Sequence, residues 1–94
     1  MKALWRGMVI ADSAHTLEVG GYHYFSRESV RMDFLEIAPK TTDDLKCPHG
    51  VQFYDVVKGE ARSRRAAWSY EAPQQRMKPI DHWIGFWEDV EITA

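Results

Sequence analysis

The stretch from His15 to Phe25 constrains the fold more than any other. His15, Leu17 and Val19 alternate with Thr16 and Glu18, Gly20-Gly21 follows, and Tyr22–Phe25 returns. Alternation of period two gives a strand with one wet face, and paired glycines supply the left-handed backbone of a tight turn. The segment predicts a β-hairpin. The rest of the chain is cut to similar lengths. Leu4–Ala11 reads as a strand bent at Gly7, Val51–Val57 as an alternating strand, and Ala61–Tyr70 as a further strand behind a Lys58-Gly59 turn. Ser26 is placed to cap a short helical turn over Arg27–Val30. Met32–Ile37 reads as a strand, with a helix from Ser26 to Glu36 as its competitor. Ala38–Gly50 and Ala72–Pro79, each punctuated by proline, read as loops, and Ile80–Ile92 as the last strand. About six to eight short strands without a long helix predict an all-β fold. Its core would draw on Val9, Leu17, Val19, Leu35, Val51, Phe53, Ala67, Ile84, Phe86 and Val90.

Length and composition narrow the reading. At 94 residues there is room for one core, so residues 1–94 are expected to form a single domain. Aromatic residues make up 13% of the chain, enough to fill that core and leave rings over for a pocket. The net charge is −2 with both signs interspersed, which argues against nucleic acid as a partner, since that binding rests on phosphate neutralisation. Cys47 is the one cysteine, so no intrachain disulfide is available. No signal-peptide core and no membrane-length apolar run is present, and a cytoplasmic location is expected.

Three groups of residues carry candidate chemistry. Cys47-Pro48-His49-Gly50 sets a thiol two residues from an imidazole, with Lys46 beside it, a pattern that reads first as a small buried thiol beside a proline–glycine turn and otherwise as a nucleophile. Cys47 and His49 lack a repeated ligand pair, so no metal site is predicted. Arg62, Arg64 and Arg65 lead into Trp68 and Tyr70 on one strand; this reads first as a solvated strand start whose arginines pair with acids on a neighbouring strand, and otherwise as a site where arginine holds an anion while a ring stacks. Regular alternation puts Arg62, Arg64, Trp68 and Tyr70 on one face and Arg65 on the other. Asp55 falls on the parity of Val51, Phe53 and Val57, an acid on an inward face, which points to pairing with an arginine or to a catalytic role. Gly20-Gly21 lacks the spacing of a phosphate loop.

Several of these residues carry a family resemblance. Trp5-Arg6-Gly7, Val9-Ile10-Ala11 and Ser13 resemble an opening W-x-G-x-V-I-A-x-S. Tyr24-Phe25 with Val30, Cys47-Pro48 with Gly50, Tyr54-Asp55-Val56, Ala66-Ala67-Trp68-Ser69-Tyr70 with Pro73, and Ile84-Gly85-Phe86-Trp87 follow in order. Together they resemble the bacterial and fungal family catalogued as domain of unknown function 427, also labelled a nucleotidyltransferase domain. The resemblance implies a β-tent, two antiparallel sheets meeting at an angle. It implies no zinc here, because the paired C-x-x-C motifs of zinc-holding β-tents are missing. The family's C-P-x-K-G is one residue shorter in this chain, and Ser26 stands where it has proline.

Three functions are compatible with this pattern. One is a small-molecule-binding module with a pocket near the Cys47 loop, drawing on Trp5, Tyr24, Tyr54, Arg64, Arg65, Trp68 and Tyr70. The second is an enzyme acting on nucleotides, with Cys47, His49, Asp55 and Arg64 or Arg65 at its site. The third is an interaction or structural domain, anchored by Trp83 and Trp87, for which self-association is one form. No cofactor is specified by any motif.

Overall fold

The computed structural model describes all residues, 1–94. Nine strands form two antiparallel sheets. They are β1 (Lys2–Trp5), β2 (Met8–Asp12), β3 (Leu17–Val19), β4 (Tyr22–Phe25), β5 (Leu35–Ile37), β6 (Val51–Lys58), β7 (Ala61–Tyr70), β8 (Ile84–Phe86) and β9 (Glu91–Thr93). The small sheet has the order β2-β1-β9 and the large one β3-β4-β8-β7-β6-β5. No helix is long and apolar enough to cross a membrane.

The hairpin around Gly20-Gly21 forms as its alternation requires, with Leu17 opposite Tyr24 and both glycines at positive φ. Leu4–Ala11 is not one bent strand. Arg6 and Gly7, at φ 53° and 79°, make a tight turn between β1 and β2, and the irregularity in that ladder lies at Ala3/Leu4 instead. Ile80–Ile92 also divides. Glu88 turns left-handed at φ 59°, so β8 stays in the large sheet and β9 crosses to pair with β1. Met32–Ile37 splits into a 3-10 turn over Met32–Phe34 and the short β5.

The loops hold more structure than their composition suggests. α1 (Thr42–Leu45) lies inside the long polar segment, closed by a capping box: Thr41 Oγ1 accepts from the Asp44 N–H at 3.2 Å, and the Asp44 carboxylate accepts from the Thr41 N–H at 3.0 Å. A 3-10 stretch spans Gln75–Ile80. Ser26 begins the short 3-10 turn Arg27–Ser29 without a side-chain cap, because its hydroxyl donates to Ser29 Oγ at 3.3 Å.

The large sheet is apolar on both faces. Its inner face sends Phe25, Tyr54, Val56, Ala67, Ile84 and Phe86 into one core with Trp5 and Ile10 of the small sheet. Its outer face carries a second cluster of Tyr24, Val51, Trp68 and Ile80. In β6 the residues facing the main core are therefore Tyr54 and Val56, while Val51 and Phe53 belong to the outer cluster. Val51, Ala67, Ile84, Phe86 and Val90 are buried as expected. Val9 and Leu17 are not, at 40% and 36% exposed. Leu17 lies on the edge strand β3, and β2 turns Ile10 and Ala11 inward instead of Val9.

Candidate functional site

Strand register builds an aromatic platform on the outer face. Tyr24 pairs with Gly85, Gly85 with Trp68, and Trp68 with Phe53, so one row crosses β4, β8, β7 and β6. Gly85 is what lets the row close up. A Cβ there would stand 2.7 Å from Trp68 Cζ2 and 3.0 Å from Tyr24 Cε2. Trp68 takes that space and meets Tyr22, Tyr24 and Trp87 edge-on, at centroid distances of 5.0, 5.8 and 5.5 Å. Phe53 stacks on Trp87 at 6.1 Å and 27°. Between these rings lies an open slot of about 170 Å³, lined by Tyr22, Val51, Phe53, Trp68, Tyr70 and Trp87. Tyr22 and Trp87 remain 40% and 38% exposed at its walls.

Polar groups fix one rim. Arg65 sits where β7 carries extra residues opposite Asp55, with a left-handed φ of 54°. Its guanidinium lies 4.0 Å from the Phe53 ring centroid and donates to both Asp44 oxygens at 3.0 and 2.7 Å. Its carbonyl accepts from Trp87 Nε1 at 2.6 Å, and its N–H donates to Asp55 Oδ1 at 2.9 Å. The Arg65 fork holds the buried Asp44 carboxyl down at about 2, against the upward push of burial and with help from Thr41. Burial pushes Asp55 up, but the Arg65 N–H and Arg62, 2.5 Å away, outweigh it and leave the carboxyl below its ordinary value. Asp55 is thus a paired acid.

Tyr24 lies at the back of the platform. Burial first, then the neighbouring Tyr70, pushes its phenol well above the ordinary range, so it stays a neutral hydroxyl. The Trp68 indole opposes that shift, yet its buried N–H meets no acceptor in hydrogen-bond geometry.

The Cys47 loop borders the same cluster. Cys47 is half-buried against it, and the His49 ring meets Tyr70 edge-on at 5.4 Å. His49 Nδ1 accepts from the Gln74 N–H at 3.0 Å. Of the sequence-selected residues, Tyr24, Trp68, Tyr70 and Arg65 come together around the slot. Trp5 and Tyr54 lie in the inner core, and Arg64 is exposed on β7. No three His, Cys, Asp or Glu side chains are placed to hold one metal ion.

Sequence reading missed the slot walls Tyr22, Val51 and Phe53 as site residues, and it missed a polar chain beside the strand ends. There Arg27 donates to Tyr54 Oη at 2.6 Å, Tyr54 Oη lies 3.1 Å from Ser69 Oγ, and Ser69 donates to Glu71 at 2.6 Å. His82 sits between Glu71 and Asp81. Ser69 is wholly buried, so this chain of contacts ties strand ends together and offers no accessible hydroxyl. The two-residue spacing of Ser69, on β7, and Glu71, just past its end, was the only local signal for it.

The profile of one protein family, described as Domain of unknown function (DUF427), matches residues 1–94. The chain belongs to this family. No curated protein matches it. The DUF427 assignment agrees with the two-sheet, all-β architecture. Within it, Arg6-Gly7 forms the β1–β2 turn, Trp68 and Tyr70 belong to the platform, and Trp87 lines the slot.

Proposed function

We propose that this domain binds a small planar ligand by inserting one aromatic ring into the outer-face slot. The carrying observation is an apolar slot of about 170 Å³ that the fold leaves open although its walls are large rings. An enclosed apolar cavity of about 150 Å³ suffices for benzene. The slot is therefore ring-sized, and a nucleotide could insert its base alone, with its phosphates outside. Offset and edge-on ring contacts contribute about 0.5–1.5 kcal/mol each beyond buried area. The Arg65–Asp44 fork braces Phe53 and Trp87, so the walls are pre-oriented. A neutral Tyr24 hydroxyl and the unpartnered Trp68 N–H supply polar character behind the rings.

The test is a titration of the ¹⁵N-labelled domain with p-cresol, following the Trp68 and Trp87 indole signals. Saturable shifts are expected. Tyr22→Ala removes one exposed wall and should weaken binding by about two- to tenfold, one ring contact's worth. Shifts that rise linearly without saturation would sink the proposal. Saturation by ATP with Mg²⁺ but not by p-cresol would favour the nucleotide reading. Shielding of Trp87 that grows with protein concentration would favour a docking face.

A further inference from the structure

A second cleft, of about 440 Å³, opens beside the β1–β2 and β6–β7 turns, lined by Trp5, Arg6, Met8, Lys58, Gly59 and Ala61. Pockets for organic ligands run from roughly 300 to 1,000 Å³. It shares no lining residue with the aromatic slot. Both of its charged residues are basic. Neither Arg6 nor Lys58 reaches a carboxylate at ion-pair distance, a property they share with Arg64, Arg76 and the other lysines, so what sets this pair apart is their common place at one cleft.

Each of the two cations is steered by a ring instead. The Arg6 guanidinium lies 5.8 Å from the Trp5 ring centroid, and Lys58 Nζ lies 5.6 Å from that of Phe34, a ring beside the cleft that Arg31 approaches at 4.8 Å. A ring directs a cation without cancelling its charge. The carboxylate acting on Arg6 through space is Asp89, and that group already accepts from Ser63 and from Trp5 Nε1. Glu60, in the β6–β7 turn, makes no ion pair with either cation. The backbone adds an independent sign. Arg6 and Gly7 both have positive φ, a turn whose first position suits Asn, Asp or Gly. A strained arginine stands there, with its side chain on the cleft. Strain held at a ligand-sized opening is a pointer to function.

We infer that this cleft binds a small organic phosphate monoester. Arg6 offers its fork to two phosphate oxygens, Lys58 supplies a point charge, and Met8 and Ala61 pack against the organic group. Two cations without a contact ion pair match a dianion better than a carboxylate.

Phenyl phosphate is titrated into the ¹⁵N-labelled domain at low ionic strength, following the Gly7 and Gly59 amides and the Trp5 indole. Inorganic phosphate and phenol are the parallel probes. Saturable shifts are expected, at lower concentration for phenyl phosphate than for either probe. Arg6→Asn and Lys58→Gln should each weaken binding about tenfold, while Arg76→Gln leaves it unchanged. Arg6→Asn suits the turn, and Lys58 is exposed, so both variants keep the fold. Shifts that never saturate, affinity unaltered in both variants, or phosphate binding as tightly as phenyl phosphate would each overturn the inference. Shifts confined to Trp68 and Trp87 would report the aromatic slot and would equally overturn it.

Discussion

A single methyl group at position 85 would meet Trp68 Cζ2 at 2.7 Å and Cε2 at 2.9 Å, and Tyr24 Cε2 at 3.0 Å. Trp68 has limited room to yield, because Tyr22, Tyr24 and Trp87 all pack edge-on against it. Gly85→Ala should therefore behave as core overpacking and cost about 1–3 kcal/mol. A lowered thermal midpoint together with a displaced Trp68 indole signal is the expected result. Unchanged stability and spectrum would mean that the platform adapts and that Gly85 does not set its spacing. Ile84 and Phe86 on the opposite parity would tolerate such a test less informatively, since they sit in the main core. The glycine is legible as a strand glycine in the sequence, where it signals close approach of another group. Which group approaches is not legible, because Trp68 and Tyr24 reach it through pairing between strands far apart in the chain.

At the level of elements, β9 is the least self-sufficient piece and the most informative one. Its pairing is confined to β1, through Lys2–Thr93, Ala3–Ile92 and Leu4–Glu91, and those contacts place Ile92 against the main core. A chain ending at Val90 should lose about 1–2 kcal/mol for the half-buried Ile92 side chain, plus the ladder. Hydrogen exchange should show β1 losing protection before β6 and β7, and Trp5 emission should shift to the red. Simultaneous loss across both sheets would instead show one cooperative unit. This element also marks where sequence reading stopped. The hairpin at Gly20-Gly21, β6 and β7 follow from alternation and turn residues alone. Ile80–Ile92 keeps an apolar alternation across Glu88-Asp89, so nothing local announces that the chain changes sheets there. α1 was hidden for a related reason. Its stability comes from the Thr41–Asp44 box and from Arg65, a residue of β7. The site divides in the same way: Trp68, Tyr70 and Arg65 are adjacent on one strand and could be picked together, whereas Tyr22, Val51 and Trp87 join them through register.

Across the whole molecule, three aspartates fasten separate parts, and they set how the domain responds to acid. Asp44 ties α1 to Arg65, Asp55 binds the bulged β7 through Arg62 and the Arg65 N–H, and Asp89 joins Ser63 of β7 to Trp5 of the small sheet. All three carboxyls lie below the ordinary 3.8: Asp44 by its Arg65 fork, Asp55 by two arginines against burial, Asp89 chiefly by the Ser63 hydroxyl. A carboxyl depressed in the folded state means that the unfolded chain binds more protons in acid. The stabilisation is therefore fully present above the ordinary value and is lost as pH falls through the folded one. For Asp44 that window runs from 3.8 down to about 2. Its share is on the order of 1–2 kcal/mol once the partial exposure of Arg65 is allowed for. Denaturant midpoints should hold steady from neutral pH to about 5 and fall below it. Asp44→Asn lowers the neutral plateau, since Arg65 loses its charge partner, and makes the decline between pH 4 and 2 shallower, because one proton-linked group is gone. Parallel curves for the two proteins would mean that Asp44 titrates alike in folded and unfolded chains, and the Arg65 fork could then not be what holds the slot's rim. Convergence of the curves at low pH is the outcome expected if the fork braces Phe53 and Trp87, and the p-cresol affinity should then fall through the same window.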